Sequence, residues 1–324
     1  MRGLIGFWLL LTLLVGAGAG LLQYLGPPAA LPARIAAATP IRPASLIPAA
    51  PDPSLREPQA DNPTAFLPRI GPDGRRPMNV YAAPPGFPGG KIPPGSKVVA
   101  LLISGLGMSQ SESETAINAL PAAVSLAFSP YAANPQPLID AARAAGHEFL
   151  VSIPLEPAGF PLVDEGAQAL LTGSTPGANF IRLEWALSRY DGYVGATSAL
   201  DGMQGATFLR TDNQYADLQD QLNQRGLLFV EGRAGVAAPA RVPGRSADAV
   251  IDAPPDAASI DAKLASLLAQ AETHGSALGL AGPLRPVTLA RLKIWIAALP
   301  SHGVKLVPVS ALVTQTNAAT ESAP

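Results

Sequence analysis

The residues of this chain that could do chemistry stand at the ends of strand-like runs. Glu156, Asp201, Glu231 and Asp252 each follow or end an apolar run, and Arg233 and Arg285 supply cations close by. If these positions converge, they form a mixed acidic and basic cleft. Paired carboxylates in such a cleft could act as acid and base or hold a hard cation. Glu156, Asp201 and Glu231 are the candidates for catalysis, and Ser104, Arg233 and Arg285 join them as ligand-binding candidates. The preferred reading is plainer: Glu231 pairs with Arg233, and Asp201 and Asp252 cap turns, since structural ion pairs also populate such rims. Ser104-Gly105-Leu106-Gly107 ends the strong strand that starts at Lys97. In a repeating strand–helix architecture such exits carry the catalytic groups, yet this one has neither carboxylate nor imidazole.

Other chemistries are poorly supplied. The three histidines, His147, His274 and His302, all precede strand-like runs. That is the stability face of a barrel, so they read as loop or helix-end residues. His274 and His302 stand just before Gly275 and Gly303, where a cation favours a helix C-terminus. There is no cysteine, which excludes disulfides, thiolate zinc sites and a cysteine nucleophile. No resident cofactor is expected, and a divalent metal enters only if the carboxylates form a relocated site. Gly105-Leu106-Gly107 lacks the third glycine of a phosphate loop. No Gly-x-Ser-x-Gly elbow occurs. Trp185 and Trp295 fall mid-helix and read as core.

The elements that must position these residues alternate. Strand-like runs cover 98–103, 124–128, 149–153, 192–197, 227–231, 249–252, 277–281 and 305–309. Helical patterns fall between most of them. Ser109-Gln110-Ser111-Glu112 fits a capping box. Residues 135–145 form the second pattern. Thr175-Pro176 is an N-cap and first-turn pair. Further patterns cover 212–225, 259–274 and 286–299. The alternation predicts an α/β fold with a parallel sheet. Seven or eight such units suggest an irregular (β/α) barrel, with a doubly wound open sheet as the alternative.

The chain has 324 residues and 48% hydrophobic residues but only 6% aromatics. Alanine, leucine and valine must therefore fill the core. A net charge of −2 gives no basic footprint for nucleic acid. The expected organisation is a membrane anchor at 1–26, a Pro/Ala-rich tether at 27–96, the barrel at 97–315 and a disordered tail at 316–324. Residues 4–25 are uncharged and long enough to span a bilayer. A cleaved signal is the rival, with Ala17-Gly18-Ala19 as its cleavage pattern. The uncleaved anchor is favoured because the apolar run continues through Leu25. Arg2 on the short side places the N-terminus inside. The expectation is a single-pass inner-membrane protein with its C-terminal domain in the periplasm, or a periplasmic protein after signal cleavage. A fully extended tether of about 70 residues would reach on the order of 200 Å.

Several pieces, in order, carry a resemblance. They are Ile103 with Leu106-Gly107, Ala145-Gly146-His147-Glu148, Pro154-Leu155-Glu156-Pro157, Leu170-Leu171-Thr172-Gly173, Trp185-Ala186-Leu187-Ser188-Arg189, Arg225-Gly226-Leu227-Leu228-Phe229 and Val307-Pro308-Val309-Ser310-Ala311-Leu312. Together, over most of 97–313, the chain resembles the divergent polysaccharide deacetylase family of bacterial envelope proteins. The resemblance implies an irregular (β/α) barrel related to carbohydrate esterases and a role in carbohydrate metabolism outside the cytoplasm. It also implies a lost site. Where the family pattern has two aspartates after the first strand, this chain has Ser104 and Gly105. The histidine-containing stretch after the fourth strand is Thr197-Ser198-Ala199-Leu200-Asp201-Gly202, and a third-strand histidine is Ser152. The Gly-His-Pro after the seventh strand is Ala281-Gly282-Pro283. Glu156 and Arg233 match the pattern, and Glu231 replaces an aspartate. A metal-activated water needs ligands and a base. The expectation is a catalytically degenerate envelope protein that binds a glycan or a protein partner. The alternatives are an active metal-dependent esterase with relocated carboxylates and a structural scaffold.

Overall fold

The structure is a computed structural model that describes residues 47–60 and 62–314. The anchor and its orientation, and the tail at 316–324, lie outside the described residues. Within the described residues no helix is long and apolar enough to cross a membrane.

The first described strands form a hairpin of β1 (Arg56–Gln59) and β2 (Asn62–Pro68), followed by the short helix α1 (Pro77–Val80). Strand–helix alternation then begins. β3 (Lys97–Leu106) leads to α2 (Gln110–Ala119), β4 (Ser125–Phe128) to α3 (Gln136–Ala144), and β5 (Phe149–Ser152) to α4 (Pro176–Leu187). β6 (Gly195–Thr197) leads to α5 (Asp212–Gln224). β7 (Leu228–Glu231), β8 (Gly244–Ser246) and β9 (Ala249–Val250) precede α6 (Ala257–His274). β10 (Ser276–Ala281), α7 (Pro286–Ala298) and β11 (Val304–Leu306) complete the set.

The caps expected from sequence are present: Ser109 Oγ accepts from Glu112 N at 3.4 Å and Thr175 Oγ1 from Ala178 N at 3.3 Å. Gly275 and Gly303 end their helices in the left-handed conformation.

The sheet runs β8-β7-β6-β5-β4-β3-β10-β9, and all its pairs are parallel. β11 pairs the start of β3, from Lys97 to Val99, while β4 pairs its later half. The two ends of the path, β8 and β9, are consecutive in the chain. Residues 244–250 therefore pair β7 with their first half and β10 with their second, and the sheet curls into an irregular (β/α) barrel. β3 explains why its sequence is a continuous apolar run: nine of its ten residues are buried. A parallel strand covered on both faces needs no alternation. Val99, Leu101 and Ile103 pack outward with Ile117, Ile139 and Leu267 of the helices. Val98, Ala100 and Leu102 point inward with Ala127, Leu150, Val230 and Leu280.

The tether expectation fails from residue 47 onward. Leu55, Met78 and Tyr81 are buried within the inner cluster, with Phe87 and Ile92 packed against it. Polar ties fix the same segment to the N-terminal ends of the strands. Met78 N donates to Gly226 O at 3.1 Å, Ala83 N to Glu148 Oε2 at 3.0 Å, and Arg56 pairs with Asp191 at 2.8 Å. The segment closes the base of the barrel. Its many prolines fit irregular chain with few backbone donors to satisfy, and its scattered apolar residues suffice to plug a hole.

Candidate functional site

All the parallel strands exit on the face opposite that base, and the connections there form the barrel mouth. Ser104 is buried, and its Oγ donates to Ala281 O at 3.4 Å. Gly282, with φ +136°, packs so tightly on this strand that a Cβ would lie 2.2 Å from Ser104 O. Gly105, at φ +79°, occupies the next position. A Cβ there would lie 3.0 Å from Asp201 Oδ1 and 3.2 Å from Pro283 Cα. Asp201 follows β6, which is three strands from β3 in the sheet. The connection after β6 thus crosses the mouth and rests its carboxyl group on the exits of β3 and β10.

Asp201 is held there by a tight turn. Leu200 and Met203 exchange backbone hydrogen bonds of 2.9 and 2.8 Å. Asp201 has φ +46° and is the one non-glycine residue with positive φ among the described residues. Aspartate tolerates that conformation better than most residues. The residue is exposed, but its carboxyl group loses enough hydration against the mouth that its pKa is raised.

The other candidates are engaged elsewhere. Glu231 is 1% exposed; its Oε2 accepts from Tyr215 Oη at 2.6 Å and its Oε1 pairs with Arg233 Nε. Arg233 also donates to Leu209 O at 3.2 Å. Glu156 Oε2 accepts from Thr172 N at 2.6 Å and Thr172 Oγ1 at 2.7 Å, pinning the connection that leads to α4. Asp252 receives Gly282 N through both oxygens, at 3.2 and 3.0 Å. Burial raises the Asp252 pKa, against the pull of the Gly282 N–H and of Arg285. Arg285 is exposed at the start of α7. The structure therefore brings Ser104, Asp201 and Asp252 toward one centre, through Gly105 and Gly282, and leaves Glu156 and the Glu231–Arg233 pair in separate hydrogen-bond sets.

One carboxylate was not legible as a site residue. Glu165 lies in the connection after β5 and is 3% exposed. Its Oε2 accepts from Leu155 N at 2.8 Å, and its Oε1 is buried with no partner. Burial first, then the nearby Asp201 and Asp164 charges, push its pKa up to about 8, against the Leu155 and Gly205 N–H groups. The surrounding Phe160-Pro161-Leu162-Val163-Asp164 stretch has no period that could have flagged it.

Two fully buried groups sit at the opposite end of the barrel. His147 Nδ1 faces Val124 O at 2.8 Å and Nε2 faces Ile117 O at 3.1 Å. Glu148 receives Ser125 Oγ at 2.7 Å, Ser310 N and Ala83 N each at 3.0 Å, and Ser310 Oγ. Both lie at N-terminal strand ends, away from the mouth.

The mouth does not fit a hydrolytic metal ion. Such an ion takes imidazole, thiolate or carboxylate ligands around an open position. Here Ser104 and Asp252 are turned to backbone groups, and no imidazole approaches. Among the described residues no three His, Cys, Asp or Glu are grouped to share a cation.

The family model for divergent polysaccharide deacetylases matches residues 101–313. The chain belongs to that family. Among solved structures, this deacetylase-family chain is similar to an uncharacterized protein from Agrobacterium tumefaciens C58, with 33% identity and a TM-score of 0.69 over 76% of this chain and 99% of the other. More distant is a putative cellobiose-phosphate cleavage protein from Enterococcus faecalis V583, with 11% identity, a TM-score of 0.47, and coverage of 67% and 99%. The catalytic domain of a peptidoglycan N-acetylglucosamine deacetylase from Eubacterium rectale ATCC 33656 has 13% identity, a TM-score of 0.44, and coverage of 67% and 90%. No curated protein matches the chain.

Proposed function

We propose that this divergent polysaccharide deacetylase-family chain binds a glycan without hydrolysing it, as a membrane-anchored envelope protein. The observation that carries the reading is the contact of Asp201 with Gly105. The position where the family pattern has an aspartate bears no side chain, and another connection has moved a carboxyl group over it. Glu156 and Glu231, the other carboxylates available for a relocated site, are committed to Thr172 and to the Tyr215–Arg233 pair. The anchor rests on the uncharged run at residues 4–25, which would hold the domain on the periplasmic side of the inner membrane.

Calorimetric titration of the chelator-stripped full chain with zinc, manganese, magnesium and calcium tests the non-hydrolytic half. No saturable binding is expected up to millimolar metal, and no acetate should be released from acetylated chito-oligosaccharides. One-to-one metal binding that Asp201→Asn abolishes, with acetate release, would replace this reading by an active esterase.

A further inference from the structure

Outside the mouth, α4 and α5 leave a groove of about 530 Å³ between them. That is within the range of roughly 300–1,000 Å³ for small-molecule sites. Its floor is apolar, from Leu183, Phe208 and Leu218. Phe180 stands on one wall and is 38% exposed. Gln221 and Gln224 line the other. No lysine or arginine lines the groove, while Asp217 and Asp220 do, and Asp220 is paired with Arg241 at 2.5 Å. An anionic ligand such as a phosphate or an acidic polymer therefore meets the Asp217 carboxylate and no lining cation.

One oxygen of a groove side chain also lacks a partner. Gln214 Nε2 donates to Thr172 O at 2.8 Å, which fixes its amide. Its Oε1 is buried with no partner. A buried acceptor left unmatched costs free energy that a donor would recover. Through Thr172, Gln214 is joined by hydrogen bonds to Glu156 in the connection after β5, on the mouth side of the sheet.

We infer that the α4–α5 groove binds an uncharged glycan strand. This rests on the glycan reading above and assigns it a place. Side-chain amides hydrogen-bond hydroxyl and N-acetyl groups in pairs, the exposed Phe180 ring offers a face for sugar C–H groups, and a lining with no lysine or arginine favours a neutral ligand. A ligand hydroxyl that reaches Gln214 Oε1 would supply the donor it lacks.

The test is calorimetric titration of the full chain with chitotetraose and cellotetraose, with an oligogalacturonate as the anionic control. A neutral tetrasaccharide should bind and the anionic one should not. Phe180→Ala, a substitution at an exposed position, should weaken binding about tenfold. Gln214→Ala should weaken it about three- to tenfold. Gln224→Ala, also at an exposed position, provides a wall variant that leaves the core untouched. Unfolding curves check that each variant is folded. If Phe180→Ala and Gln224→Ala both bind like the parent while Asp201→Ala does not, the groove is wrong and glycan binding at the mouth stands. If the groove variants and Asp201→Ala all bind like the parent, the groove assignment fails and the glycan sits elsewhere. If neither neutral sugar binds the parent chain, both readings fall. Tighter binding of the anionic control would also overturn the groove.

Discussion

Asp201 Oδ1 lies 3.0 Å from the point where a side chain on Gly105 would begin. Gly105 lies near the end of β3 and Asp201 in the connection after β6, three strands away, and the space between them is complementary only while position 105 is glycine. Two terms oppose any other residue there: the φ of +79° and the contacts with Asp201 and Pro283. Gly105→Ala is therefore expected to destabilise the fold by about 2–3 kcal/mol. On an Asp201→Gly background the carboxyl contact is gone, and the same change should cost about 1 kcal/mol less. Denaturant unfolding of the four proteins measures that coupling. Additive costs would mean that Asp201 does not rest on Gly105 in solution.

Glu165 gives the stability of the domain a pH dependence of predictable sign. Its ordinary pKa of 4.5 rises to about 8 in the fold. Between those values the folded chain holds a proton that the unfolded chain has released. Stability from this group is complete below pH 4.5 and is lost as pH rises toward about 8. Glu165→Gln removes the titration. Relative to the parent, the variant should gain roughly 3–5 kcal/mol between pH 5 and 8, because each tenfold change in proton affinity is worth about 1.4 kcal/mol. The measurement is the difference between the two unfolding free energies across that range. A flat difference would show that Glu165 is ionised in the native domain at neutral pH.

The base of the barrel predicts which fragment folds. A chain cut at Gly95 loses Leu55, Met78 and Tyr81 from the inner cluster and strips the Ala83 N–H from Glu148. A fragment of residues 95–315 should aggregate or unfold non-cooperatively, and one of residues 44–315 should give a single sharp transition. Within the longer fragment Glu148→Ala should cost about 3–5 kcal/mol, since it strands several buried donors from three chain segments. Equal stability of the two fragments would return residues 47–96 to the role of a tether.

Much of the scaffold was legible because parallel strands and amphipathic helices leave strong local patterns. The runs at 98–103 and 277–281 and the caps at Ser109 and Thr175 needed only neighbouring residues to be read. The pairing of Glu231 with Arg233 was legible for the same reason, being two positions apart. What was not legible depends on contacts distant in sequence. Leu55, Met78 and Tyr81 lie among prolines with no period, and only the hole beneath the barrel gives them a role. Glu165 acquires its high pKa from burial and from the charge of Asp201, a residue of another connection. The lie of Asp201 over Gly105 likewise belongs to neither local sequence.

Glu231 supplies the last prediction, because it separates a structural carboxylate from a catalytic one. It is buried, with Tyr215 on one oxygen and Arg233 on the other. Tyr215 is itself affected: burial and then the hydrogen bond to Glu231 raise its pKa well above the ordinary tyrosine value. Tyr215→Phe deletes one donor and leaves a buried oxygen unmatched, which should cost about 1–3 kcal/mol. Arg233→Ala removes the countercharge and should cost about 3–5 kcal/mol. Glu231→Gln on the Arg233→Ala background should recover part of that loss, because it discharges the carboxylate that has lost its partner. Thermal unfolding of these variants is the readout. If the stability changes are negligible while glycan turnover appears in the parent and vanishes in Glu231→Gln, Glu231 serves chemistry and not the fold.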